Sequence, residues 1–140
     1  MQIDIIVSRV NSAADLERVF AIRKTVFVEE QNCPPQLEWE NEEVSVHFLA
    51  TVNGEDAGAC RWRKTEAGYK LERFAVLKPF RRKGVAGKMI DAILNDLPPS
   101  TPHIYLHAQV AAMPLYLKKG FVSVGDEFEE AGIGHFKMVY

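Results

Sequence analysis

The feature that most constrains this chain is a change of hydrophobic period within residues 71–97. Residues 71–77 are mostly apolar, as a buried strand requires. Pro79 ends that strand, because proline has no N–H to give to a ladder. From Val85 onward, Val85, Ala86, Met89, Ile90, Ile93, Leu94 and Leu97 recur at the spacing of one helix face. Between the two elements lie Arg81, Arg82, Lys83 and Gly84. The first turn of a helix exposes unpaired N–H groups at the positive end of its dipole, and the two together bind anions. Gly84, Ala86 and Gly87 let a phosphate come close to the backbone there. The expected ligand at this helix start therefore carries phosphate; the plainer alternative is a solvated basic loop capping an ordinary helix.

Spacing narrows the ligand. A Walker A loop needs glycine, four residues, then Gly-Lys-Ser/Thr, and here the loop is too short and Met89 stands where the hydroxyl should be. The dinucleotide pattern G-x-G-x-x-G fails too, with Ala86 at its second position and Met89 at its third. What fits is R-x-x-G-x-A, Arg81 to Ala86. In this form, with Gly84 eight residues after Val76 at a strand end, the segment resembles the acyl-CoA-binding motif of the GNAT superfamily of N-acetyltransferases. A second segment, Tyr116 followed by Gly120 and Phe121, is similar to that family's Y-x-x-x-G-F. The resemblance implies acetyl-CoA as co-substrate. Backbone groups of Phe74, Ala75 and Val76 would pair with its pantetheine arm. The N–H groups from Arg82 through Lys83, Gly84, Val85 and Ala86 to Gly87 would hold the pyrophosphate, with Arg81, Arg82 and Lys83 adding charge.

Composition sets outer bounds. A chain of 140 residues makes one domain, 1–140, able to bury a single substantial core. Its 47% hydrophobic and 26% charged shares are those of a soluble globular protein. No apolar run reaches membrane-span length, and the N-terminus lacks a basic region and cleavage site. Cys33 and Cys60 show no pairing pattern, which points to reduced thiols and a cytoplasmic protein. A net charge of −2 argues against nucleic acid, leaving the basic cluster at 78–83 as a local feature. The four histidines have no metal-ligand spacing, so no metal is expected.

Residues 3–10 read as a first strand. Ser12 and Asp15 suggest a capping box opening a helix with Leu16, Val19, Phe20, Val26 and Phe27 on one face. Arg23 falls on that face too, so it either snorkels outward or meets an anion inside. The double proline 34–35 ends the helix, and an acidic run comes next at 38–43. Residues 46–52 and 56–63 form a hairpin about Asn53-Gly54, and the turn at 65–68 leads into the 71–77 strand. After a loop at 97–102 come a strand at 103–110, a short helix at 112–119 stopped by Gly120, and strands at 121–128 and 135–140. In the 103–110 strand Tyr105, His107 and Gln109 share one face. Pattern alone gives a mixed α/β domain of α+β type. The resemblance, which covers the whole chain, implies a mixed, mostly antiparallel sheet of about seven strands flanked by helices. It also implies that the Val76 and Ala108 strands splay to form a slot.

Moving an acetyl group from thioester to amine requires a deprotonated amine, a stabilised oxyanion and a protonated leaving thiolate. The resemblance implies Tyr116 as the acid. A phenol near pKa 10 is protonated at neutral pH and able to donate. Glu72, four residues before Val76, is the first candidate for the base; its alternative is an ion pair with an arginine such as Arg73 or Arg23. His107 and His135 rank after it. Residues 23–47 are similar to one bacterial subgroup with an R-x-x-V-F-x-x-E-Q pattern, which puts Arg23, Glu30 and Gln31 on the acceptor wall, with His107, Gln109 and His135 as further polar contacts. The expected function is an acetyl-CoA-dependent N-acetyltransferase acting on a small-molecule or peptide amine, with a homodimer left open. The competing function is a non-catalytic acyl-CoA sensor, which would need the loop but neither Tyr116 nor a base.

Overall fold

The described residues build a seven-stranded sheet in the order β1-β2-β3-β4-β5-β7-β6. The strands are β1 (Ile5–Arg9), β2 (Ser45–Val52), β3 (Glu55–Thr65), β4 (Gly68–Val76), β5 (Ile104–Gln109), β6 (Val122–Glu130) and β7 (Ile133–Val139). The computed structural model describes residues 3–33, 44–98 and 101–140. The double proline and the acidic run at 38–43 lie outside them. Every neighbouring pair of strands is antiparallel except β4 and β5, which run parallel. A parallel pair needs a crossover, and the helix α2 (Val85–Asp96) supplies it.

Turn chemistry sets the register. Asn53 and Gly54 sit at φ 51° and 87°, the pair of left-handed residues a tight hairpin needs. Ala131 and Gly132 repeat that geometry at φ 52° and 78°. The link expected at 129–134 is therefore a two-residue turn, and Glu129 and Glu130 belong to β6.

The helix α1 (Ala13–Arg23) starts where expected, with the Asp15 N–H donating to Ser12 Oγ at 3.2 Å. The capping box is only half made, because the Asp15 carboxylate accepts from Arg18 instead. At Lys24 the helix widens into a π-helical stretch, Lys24–Glu30. The wider turn rotates the residues after Lys24 about the helix axis, and Val26 is thereby kept in the core. The short helix α3 (Met113–Lys118) ends in a Schellman arrangement. Phe121 N–H reaches the Tyr116 carbonyl and Gly120 N–H the Leu117 carbonyl, with Gly120 at φ 98°.

Alternating residues of the central strands serve two cores. Phe48, Ala50 and Cys60 pack with Val85, Met89, Ile90 and Ile93 of α2 and with Tyr116 and Phe121. Leu49, Ala59 and Ala75 pack with Val19, Ile22 and Val26 on the other face. A sheet covered on both faces needs strands that are apolar almost throughout; residues 48–52 of β2 and 57–60 of β3 read so, while Arg61, Arg63, Lys70, Glu72 and His107 make the rest of β3 to β5 more polar.

Where α2 crosses β3 the fit is close. A Cβ on Gly58 would lie 2.9 Å from the Ala75 carbonyl oxygen and 3.2 Å from both Met89 and Val85. A backbone oxygen cannot yield as a side chain can. Gly58→Ala is expected to lower stability by about 1–3 kcal/mol, read from urea denaturation with an unchanged m-value.

Candidate active site

The slot begins with a bulge. Arg61 pairs with Glu72 and Ala59 with Ala75, so Arg73 and Phe74 together stand opposite Cys60. Arg73 takes a left-handed φ of 59° to make this possible, a conformation that costs a residue with a Cβ about 1–2 kcal/mol. A bulge bends its strand and sharpens its twist. Pairing of β4 with β5 accordingly ends at Leu71 and Leu106. Beyond that point the strands part, as the resemblance implied. A cavity of about 270 Å³ occupies the opening, lined among others by Phe27, Cys33, Phe74, Ala112 and Tyr116.

Strand alternation decides which backbone groups face the slot. Leu77 N–H donates to the Ala57 carbonyl at 2.8 Å, so Phe74 and Val76 turn their groups the other way, toward β5. Ala75, expected beside them, points its groups at Ala59 of β3 instead. The Val76 carbonyl already accepts from Arg81 Nε at 2.8 Å, and Arg81 also meets Glu30 Oε2 at 2.7 Å. Arg81 and Glu30, expected to hold cofactor and acceptor, thus tie the π-helical stretch to the end of β4.

The anion site has the expected form. Gly84 precedes α2 at φ 88°, and no side chain caps the helix. A second hollow of about 250 Å³ lies against it, lined by Val76, Arg81, Arg82, Gly84, Val85, Ala86 and Gly87. Arg82 and Lys83 are exposed beside it. A Cβ on Gly87 would lie 3.7 Å from Lys119 Nζ, a cation that no sequence motif marks. Uncapped N–H groups, bare backbone and nearby cations fit a pyrophosphate.

Tyr116 stands where β4 leaves β5. Its ring meets Phe74 edge-on at 5.8 Å and Phe121 at 6.1 Å. Burial, with the Cys60 thiol adding to it, pushes the phenol well above its usual pKa. It therefore stays protonated throughout the neutral range.

Glu72 is held by four cations. Its Oε1 accepts from Arg61 Nε at 2.9 Å, Arg61 NH2 at 2.7 Å and Arg63 Nε at 2.6 Å. Its Oε2 lies 3.3 Å from Lys70 and 3.9 Å from Arg73. Burial pushes the carboxyl up, but Arg61, Lys70, Arg63 and Arg73 together outweigh it and hold the pKa at about 2. A carboxylate of that acidity is a weak base at neutral pH. The ion-pair alternative for Glu72 thus prevails, with Arg61 and Arg63 as its nearest partners and Arg23 elsewhere. The signal lay in the hairpin: a turn at 66–67 sets Arg61 opposite Glu72 and Arg63 opposite Lys70.

On the far wall, His107 Nδ1 donates to Glu130 Oε1 at 3.3 Å. His135 Nδ1 is 2.7 Å from the Ile133 carbonyl, which can only accept, so Nδ1 carries the proton. The Nε2 lone pair is left on the side of Glu130, whose Oε2 is 3.7 Å away. Across the slot mouth, Gln109 Nε2 donates to Gln31 Oε1 at 3.0 Å. All of these residues line the cavity. Arg23 does not; it is buried, with its guanidinium 5.6 Å from the centre of the Phe20 ring. Among the described residues no cluster of ligand-type side chains could hold a metal, and no helix is long and apolar enough to cross a membrane.

Comparison with known proteins agrees with this geometry. The family model described as an acetyltransferase (GNAT) domain matches residues 12–140. An uncharacterized N-acetyltransferase of Bacillus subtilis, YjcF, is 36% identical over 127 residues, covering 89% of this chain and 91% of its own. The crystal structure of an acyl-CoA N-acyltransferase from Pseudomonas aeruginosa superposes with TM-score 0.82 at 25% identity, covering 99% of both chains. A GNAT family acetyltransferase from Elizabethkingia anophelis, solved with acetyl-CoA bound, shares the fold at TM-score 0.70 and 14% identity, over 96% of this chain and 94% of that one.

The charges around Glu72 set both its chemistry and its pH dependence. Its folded pKa of about 2 lies below the ordinary value of 4.5. The stabilisation is therefore complete above about pH 4.5 and drains away as pH falls toward 2, on the order of 3 kcal/mol in all. Glu72→Gln leaves buried Arg61 without its carboxylate and should cost about 3–5 kcal/mol at neutral pH. Denaturation midpoints measured from pH 7 to pH 3 check both, since the variant should also lose the acid-dependent fall.

Proposed function

Since the chain belongs to the GNAT acetyltransferase family and is an acetyltransferase, we propose that its donor is acetyl-CoA and its acceptor a primary amine, on a small molecule or a peptide, that attacks the thioester directly. The observation that carries this is the meeting of three features at one place. These are the edge of β4 that β5 leaves unpaired at Phe74 and the Val76 N–H, the uncapped N-terminus of α2, and a Tyr116 phenol lining the cavity. In this reading the Phe74 and Val76 backbone lines up the pantetheine arm as an added strand would. The N–H groups from Arg82 to Gly87 take the pyrophosphate.

The proton steps are carried by side chains. His135, with its Nδ1–H fixed on a carbonyl, offers Nε2 to the acceptor ammonium, with the Glu130 carboxylate 3.7 Å from that nitrogen. Glu72 keeps its charge and serves the wall rather than the proton. Once the tetrahedral intermediate collapses, the Tyr116 O–H is the donor for the thiolate. The burial that makes this phenol a weaker acid also makes a thiolate released beside it a stronger base, which narrows the gap between the two groups. With reduced Cys33 and Cys60 and a single domain, the cytoplasm suits this chemistry.

Tyr116→Phe removes one oxygen and keeps the aromatic packing. It should fold and bind acetyl-CoA normally by calorimetry, yet turn over about 10²–10⁴-fold more slowly. Unchanged turnover would remove the acid role from Tyr116, and tight acetyl-CoA binding with no amine acetylated by the wild type would favour a sensor.

His135→Gln should lower kcat/KM by about 10²-fold or more while acetyl-CoA affinity holds. Unchanged turnover would assign the base elsewhere.

A further inference from the structure

Four cations of the acceptor wall share one carboxylate, and among the described residues Glu130 is the other anion of the cavity near Lys70. Arg61, Arg63, Lys70 and Arg73 all converge on Glu72. Arg63 engages it through Nε alone, at 2.6 Å, and its two terminal nitrogens make no hydrogen bond among the described residues. Lys70 has Glu72, at 3.3 Å, as its one carboxylate within ion-pair distance among those residues. Both side chains are mostly buried, at 19% and 12% exposure, and both line the cavity. Burying a cation without a matched anion is costly, and an arginine fork with both ends open fits a carboxylate or phosphate. Along β4, Lys70 stands about 13 Å from Phe74 and Glu72 about half that. The charge therefore lies within one small molecule's length of the thioester end of the slot.

We propose that the acceptor is an amine that also bears an anionic group, carboxylate or phosphate, which Arg63 and Lys70 hold while the amine faces Tyr116 and His135. This rests on the acetyl-transfer reading above and specifies its substrate class. The same charges reject diamines and polyamines, whose second ammonium would meet Arg63 and Lys70 at the far end.

The test is a matched panel with acetyl-CoA, with released thiol as the readout. Glycine, β-alanine, 4-aminobutyrate and 6-aminohexanoate are compared with their primary amides, O-phosphoethanolamine with ethanolamine, and putrescine serves as the cationic control. At least one anionic amine should exceed its neutral partner by about 10–100-fold in kcat/KM, with putrescine poorest; whether a carboxylate or the phosphate wins identifies the anion. Arg63→Gln and Lys70→Gln should each shrink that advantage while acetyl-CoA affinity holds. Glu72 keeps three cations in either variant, so both should fold. Neutral amines or putrescine matching the anionic ones would overturn the proposal while leaving acetyl transfer intact. Should no amine be acetylated, the transfer reading itself fails. Saturation-transfer NMR of 6-aminohexanoate and O-phosphoethanolamine with the CoA-bound protein then decides the anion site alone: binding lost in Arg63→Gln upholds it, and no binding to wild type ends it.

Discussion

The parting of β4 from β5 is the constraint on which the rest of this structure depends. Two parallel strands pair for three residues and then separate, because a bulge at Arg73 and Phe74 bends β4 away. Had the ladder continued, the β4 edge would be satisfied by β5 and no ligand could add to it. The left-handed Arg73 is a small local cost with a large geometric return. It opens the cavity, frees the Phe74 and Val76 groups and brings Phe74 against Tyr116.

Around that opening the two faces of the sheet have different tasks. On the α2 face, apolar packing from Phe48, Leu71, Met89 and Ile93 fixes the helix whose uncapped N-terminus borders the second hollow. On the α1 face, beyond the small cluster around Val19 and Ile22, the sheet turns polar with Arg61, Arg63, Lys70, Glu72, His107, Gln109 and His135. The Arg81 contacts with Val76 and Glu30 join those sides at the slot mouth. The two are separated by a single strand, β4, whose backbone edge borders the slot and whose Lys70 and Glu72 side chains belong to the polar wall.

Much of this was legible in the chain. The order of elements, the Asn53-Gly54 hairpin, the Ser12 cap, the Gly120 stop and the loop before α2 each depend on neighbours in sequence. Tyr116 was legible through its spacing to Gly120 and Phe121. The acidity of Glu72 was not, because it depends on charges brought from another strand. Glu72 alone looks like a base, but beside Arg61, Arg63, Lys70 and Arg73 it is a counter-ion. Glu130 looked like part of a loop until a two-residue turn at Ala131-Gly132 made it the end of a strand facing His107.

By itself the sequence determined the order of the strands and helices and which helix start is suited to a phosphate, since period, caps and glycines act over a few residues. The tertiary structure decided the bulge, the width of the slot, the charge of the acceptor wall and the rank of its titratable groups. Those are sums over side chains distant along the chain, as with Arg61 and Glu72 across a hairpin or His135 and Glu130 across a turn. A carboxylate's pKa and a cavity's charge are fixed by distances in space, and only folding sets them.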